Sequence, residues 1–87
     1  MHAVVPRVTI NDQEASEKQL REEVVPGVKQ APGFVAGYWT RKDDSGMSMV
    51  IFESEEVANE MAERLPSMLP EGVTLESVEV REVVVSA

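Results

Sequence analysis

Apolar positions along the chain switch between strand-like and helix-like spacing, and these switches, with the turn residues between them, mark six elements. Val4 to Ile10 is dense in β-branched residues and closes on Asn11-Asp12, the signature of a strand, β1, giving way to a helix start. From Gln13 to Gln30 the spacing becomes helical: Leu20, Val24 and Val28 stand four apart on one stripe, among Glu, Gln, Lys and Ala. Asp12 or Ser16 can cap this helix. Pro26 lies inside it, so a kink or a restart is expected there, because proline lacks the N–H and crowds the carbonyl four residues back. Ala31-Pro32-Gly33 ends the segment. Phe34 to Lys42 and Met47 to Glu53 then read as a β-hairpin, β2 and β3, around the turn residues Asp43-Asp44-Ser45-Gly46. Ser54, followed by Glu55 and Glu56, opens a second helix on Val57, Met61 and Leu65, which Pro66 should end or bend. Val73 to Val85 makes β4. Val73 and Leu75 share one parity while Val78 and Val80 take the other, which predicts a bulge or break near Glu76-Ser77.

The order β-α-β-β-α-β within 87 residues predicts one ferredoxin-like α+β domain, residues 1–87, with two helices on one face of a four-stranded antiparallel sheet. Two helices can cover only one face. A face left to water should show every second residue hydrophilic, yet in β3 Met47, Met49 and Ile51 point one way while Val50 and Phe52 point the other. In β2, Tyr38 and Trp39 lie on opposite faces. Burying one large apolar side chain contributes roughly 1.5–3 kcal/mol, and a domain this short buries only about 60–65% of its extended surface. The pattern therefore predicts a homodimer with the sheets of two copies packed face to face.

Composition narrows the chemistry. Sixteen acids against eight Lys and Arg give a net charge of -8, which repels nucleic-acid phosphates and anionic lipid. With no Cys and one His, neither a zinc site nor a thiolate nucleophile is expected, and no pattern requires a cofactor. No apolar run approaches the roughly 20 residues that span a bilayer. The start Met1-His2-Ala3-Val4-Val5-Pro6-Arg7 lacks the features of a secretory signal, so a cytoplasmic location is the expectation.

Val24-Val25-Pro26-Gly27-Val28-Lys29-Gln30-Ala31-Pro32-Gly33-Phe34 resembles the helix-to-strand passage of the dimeric α/β-barrel superfamily, in particular its antibiotic-biosynthesis-monooxygenase-like branch. Phe52-Glu53-Ser54-Glu55-Glu56-Val57-Ala58 is similar to that family's strand-to-helix junction. The resemblance implies two sheets enclosing a barrel, a C-terminal strand reaching toward the partner, and a cleft in each subunit between sheet and helices. Members include cofactor-independent oxygenases acting on aromatic substrates and haem-degrading enzymes. The latter need a His on the second helix, where this chain has Glu60, Met61, Ala62, Glu63 and Arg64.

Three residues are the candidate ligand contacts, each with a competing structural reading. Trp39 and Tyr38 either pack or touch an aromatic molecule, with packing the commoner fate of aromatic strand residues. Arg7, a cation inside an apolar strand, either anchors an anion or pairs with one of the acids, the ion pair being favoured. Met47, Met49, Met61 and Met68 are expected to fill core gaps. No nucleophile–base pair is legible. The residues thus point to a dimer that binds a small apolar or aromatic molecule. The alternative is a cofactor-independent monooxygenase, which needs a cavity of at least roughly 300 Å³ lined by Trp39 or Tyr38 beside a convergent polar group.

Overall fold

Val4, Val5 and Val8 set an extended conformation from the second residue onward, and β1 spans His2–Ile10 in the computed structural model, which describes residues 1–87. Asp12 then caps the first helix, its Oδ1 accepting from the Ala15 N–H at 3.1 Å. That helix covers 13–29 without interruption. It is α-helical over Gln13–Gln19, π-helical over Leu20–Val24 and α-helical again over Val25–Lys29. The Val25 N–H donates to the Leu20 carbonyl, five residues back. Pro26 explains the change: it has no N–H for the Glu22 carbonyl, and a widened turn keeps its ring clear of that group. The disturbance expected at Pro26 takes the form of a π-helical turn, after which the α-helix resumes at Val25.

Gly33, at φ +75°, turns the chain into β2 (Phe34–Lys42) in a left-handed conformation that a side chain would resist. A tight turn at Asp43 and Asp44 leads to β3 (Ser45–Phe52), which starts two residues earlier than the Met47 expected. Ser54 Oγ accepts from the Val57 N–H at 3.2 Å and starts the second helix, Glu55–Met68. Pro66 neither ends this helix nor falls in its middle; it lies two residues before the end, where one missing bond costs little. The last strand, β4, is Val73–Glu82, so Val83 to Val85 fall outside the sheet.

The strands are ordered β2-β3-β1-β4 and every neighbouring pair is antiparallel, which is the ferredoxin-like topology. Both helices pack on one face. Val28 of the first and Ala58 and Met61 of the second join Val4, Val50 and Phe52 of the sheet in one buried cluster. Phe52 is fully enclosed, and its ring lies 6.3 Å from that of Phe34 in a tilted arrangement.

Register accounts for the change of phase in β4. Arg7 lies opposite Ser77 and Val8 opposite Leu75, so Glu76 is the extra residue of a bulge. Val80, Val78, Leu75 and Val73 pair with Val4, Pro6, Val8 and Ile10 in turn, and the bulge brings all four to the helix-bearing face. Pro6 is unusual in an interior strand. Bridging between β1 and β3 lapses at Val5 and Pro6, between the pairs Val4–Val50 and Arg7–Met47, as a missing donor requires.

The other face has no cover. Ala3 and Val5 run along its centre, with Ile51, Met49 and Met47 of β3 and Ala36 and Tyr38 of β2 beside them. Tyr38 is 64% exposed, Met47 43% and Met49 41%. Met61 is a core residue as expected, whereas Met47 and Met49 belong to this open surface and fill no core gap. Only 11 of 87 residues are buried; Ala3 and Val5, along the middle of this face, are among them, while the larger Tyr38, Met47 and Met49 beside them stay exposed. Arg7 also rises from the open face. No carboxylate lies within 4.0 Å of it, and in place of the expected ion pair its head group reaches solvent.

Candidate functional site

Trp39 sits one position after Tyr38 on β2 and so projects to the helix-bearing side, where it packs against the core cluster. Its indole lies back over the strand. A Cβ added to Gly37 would stand 2.8 Å from both Cη2 and Cζ3 of the ring, so only the bare backbone of Gly37 lets the ring lie that close. The ring forms part of the wall of a cavity of about 360 Å³ between the sheet and the helices. Val8 and Ile10 contribute from β1, Leu20 and Val24 from the first helix, and Leu65 and Met68 from the end of the second.

Polar groups interrupt this apolar lining at a few points. Ser16 is buried and its Oγ donates to the Gln13 carbonyl at 3.0 Å, which engages its proton locally. Ser48 faces Trp39 across the β2–β3 ladder. At the partly exposed side, Arg41 Nη2 stands 3.4 Å from Glu17 Oε1, and Arg21 is a second arginine among the lining residues. The cavity therefore combines an aromatic wall, aliphatic surroundings and charge at one side. A concave, mostly apolar lining with a few polar groups is the usual make-up of a small-molecule site. The lining of this cavity contains no His, and the Ser16 and Thr40 hydroxyls donate to the carbonyls of Gln13 and Met47.

The three candidate residues are separated by the sheet. Trp39 lines the cavity, while Tyr38 and Arg7 stand on the opposite face and do not reach it. Arg41, Glu17 and Arg21 were not singled out from the sequence. Arg41 could have been found by parity, being two residues beyond Trp39 on the same strand and hence on the same face. Glu17 and Arg21 depend on how the first helix lies across the sheet, which local spacing does not encode.

One further polar pair lies outside the cavity. His2 Nε2 meets Glu55 Oε2 at 3.0 Å at the start of the second helix, and the buried His2 Nδ1 has no hydrogen-bond partner. No helix of the protein is long and apolar enough to cross a membrane. Compared with protein-family models and with the curated proteins, the chain matches none.

Proposed function

We propose that the protein is a homodimer of the dimeric α/β-barrel type, in which two copies meet through their open sheet faces. Each copy holds a small apolar or aromatic molecule between its sheet and its helices. One observation carries this reading: the sheet is apolar on both sides, with a Trp39-lined cavity of about 360 Å³ on one and uncovered Tyr38, Met47 and Met49 on the other. A cavity of that size suits a ring system of two or three rings and lies within the range of known small-molecule sites.

A second copy is the occupant that suits the open face. The apolar strip is central and continuous along β3, and Thr74, Ser77, Glu79 and Arg81 of β4 give it a polar border on one side. Val84 and Val85, 87% and 84% exposed just beyond β4, are strand-forming residues with no strand of their own subunit to pair with, which suits a tail that reaches a partner.

The test has two arms. Ile51→Asp places an unpaired charge on the open face, and the variant should run as a folded monomer. Naphthamide, a neutral aromatic probe, should shift the single indole N–H resonance of Trp39 saturably, and Val24→Phe, which fills the cavity, should abolish the shift. An unaltered mass for Ile51→Asp and no response of Trp39 up to the solubility of the probe would refute the reading.

The second reading, a cofactor-independent monooxygenase, draws support from the same cavity, which exceeds roughly 300 Å³ and sets polar groups near an aromatic wall. Such an enzyme would position an electron-rich aromatic substrate beside oxygen and stabilise the developing anion by hydrogen bonds. Oxygen consumption with hydroxylated naphthalenes separates the two, since a binding protein consumes none.

A further inference from the structure

The charges that line the cavity are unlike those of the chain as a whole. The protein carries a net charge of -8, yet the charged residues that line the cavity are two arginines, Arg21 and Arg41, and one acid, Glu17. Glu17 is weakly committed: its contact with Arg41 is 3.4 Å long, and the two side chains are 46% and 39% exposed. Exposed pairs of this kind contribute little, so another carboxylate can take the place of Glu17 at small cost. Arg21 has no carboxylate within 4.0 Å. A local excess of positive charge beside an aromatic wall matches a ligand that is apolar at one end and anionic at the other.

The backbone supplies a second, independent observation. In a regular α-helix, Leu20, Arg21, Val24 and Val25 would spread over a broad arc, with Leu20 and Val25 at its ends about 140° apart at about 100° per residue. All four line this cavity. They lie in or next to the π-helical turn over Leu20–Val24, where each residue rotates less about the axis than in an α-helix, so neighbouring positions are drawn to one side. Pro26 maintains that turn, and Arg21 is thereby held toward the cavity together with the apolar residues around it.

We propose that the cavity selects a flat apolar molecule bearing one carboxylate. The body lies against Trp39, and the carboxylate is taken by Arg41 and Arg21 in exchange for Glu17. This rests on reading the cavity as a ligand site, and the experiment distinguishes the two claims. Naphthoate, naphthamide and naphthylmethylamine share one body and carry an anionic, a neutral and a cationic head group. Each is titrated into the intact protein while the Trp39 indole resonance is followed.

Naphthoate should bind about tenfold more tightly than the amide, as one charge-assisted contact provides, and the amine more weakly than both. The advantage should shrink as salt is raised. Arg21→Gln and Arg41→Gln should each weaken naphthoate several-fold and leave the amide unchanged, whereas Glu17→Gln should tighten naphthoate. Pro26→Ala restores the donor for the Glu22 carbonyl and should reduce the naphthoate advantage in a protein whose circular dichroism shows it folded. Equal affinities for naphthoate and naphthamide, or tightest binding of the amine, would overturn the anionic preference and leave the cavity as a ligand site. No response to any of the three would remove the ligand site itself. The comparison of probes on the unaltered protein does not depend on any variant folding.

Discussion

Replacing Gly37 with alanine tests how the aromatic wall of the cavity is built. The new methyl would stand 2.8 Å from two carbons of the Trp39 ring, against the roughly 3.5–4.0 Å at which carbon atoms attract. The indole must therefore lift by about 0.7–1.2 Å, and it cannot do so freely because it packs against the core cluster. Overpacking of this kind costs about 1–3 kcal/mol. Alanine in a strand returns about 0.5–1 kcal/mol by restricting the unfolded chain. The overpacking term wins, and the net loss should be about 1 kcal/mol. Trp39 is the only tryptophan, so its emission reports both the local displacement and global unfolding. Denaturant titration should show a lowered midpoint at unchanged slope, and the folded variant should emit further to the red. Wild-type emission together with equal or greater stability would mean that the ring does not lie on Gly37, and the description of the cavity wall would be wrong.

Substitutions at four other positions separate the layers of the fold. Val50→Asp buries a charge in the cluster beneath the helices and should abolish folding, seen as loss of the circular dichroism signal, whereas Ile51→Asp next to it should keep the fold. Phe52→Ala should cost about 3–5 kcal/mol by equilibrium unfolding, since the ring is fully enclosed and its removal leaves a cavity. Ser54→Ala should cost about 1 kcal/mol by removing the oxygen that accepts from the Val57 N–H, and Ser54→Asp should restore most of it.

The parts of this fold that can be read from the chain are those set by short-range periodicity. Parity alone divides β3 into Val50 and Phe52 on one side and Met47, Met49 and Ile51 on the other, and the change of parity in β4 locates its bulge at Glu76. Capping chemistry identifies Ser54 in the same way and narrows the first cap to Asp12 or Ser16, of which the structure uses Asp12. Pro26 shows where such reasoning runs out. A proline inside a helix must disturb it, but the sequence does not say in what form, and here the disturbance is a π-helical turn over Leu20–Val24 before the α-helix resumes. Pro6 is a similar case, since β1 tolerates it by giving up bridges to β3 while keeping those to β4 at Val5, Pro6 and Arg7. The charged side of the cavity is the least legible part. Glu17 and Arg41 are brought together by the path of the first helix over β2, a relation between distant segments that neither spacing nor composition expresses.

The sheet with two apolar faces is the feature on which the proposed assembly depends, and the mass of the protein in solution tests it most directly. Light scattering coupled to gel filtration at micromolar concentration should give twice the 9.6 kDa of the chain. A mass of 9.6 kDa under the same conditions would contradict the pairing of two sheets and leave Tyr38, Met47 and Met49 facing water without explanation.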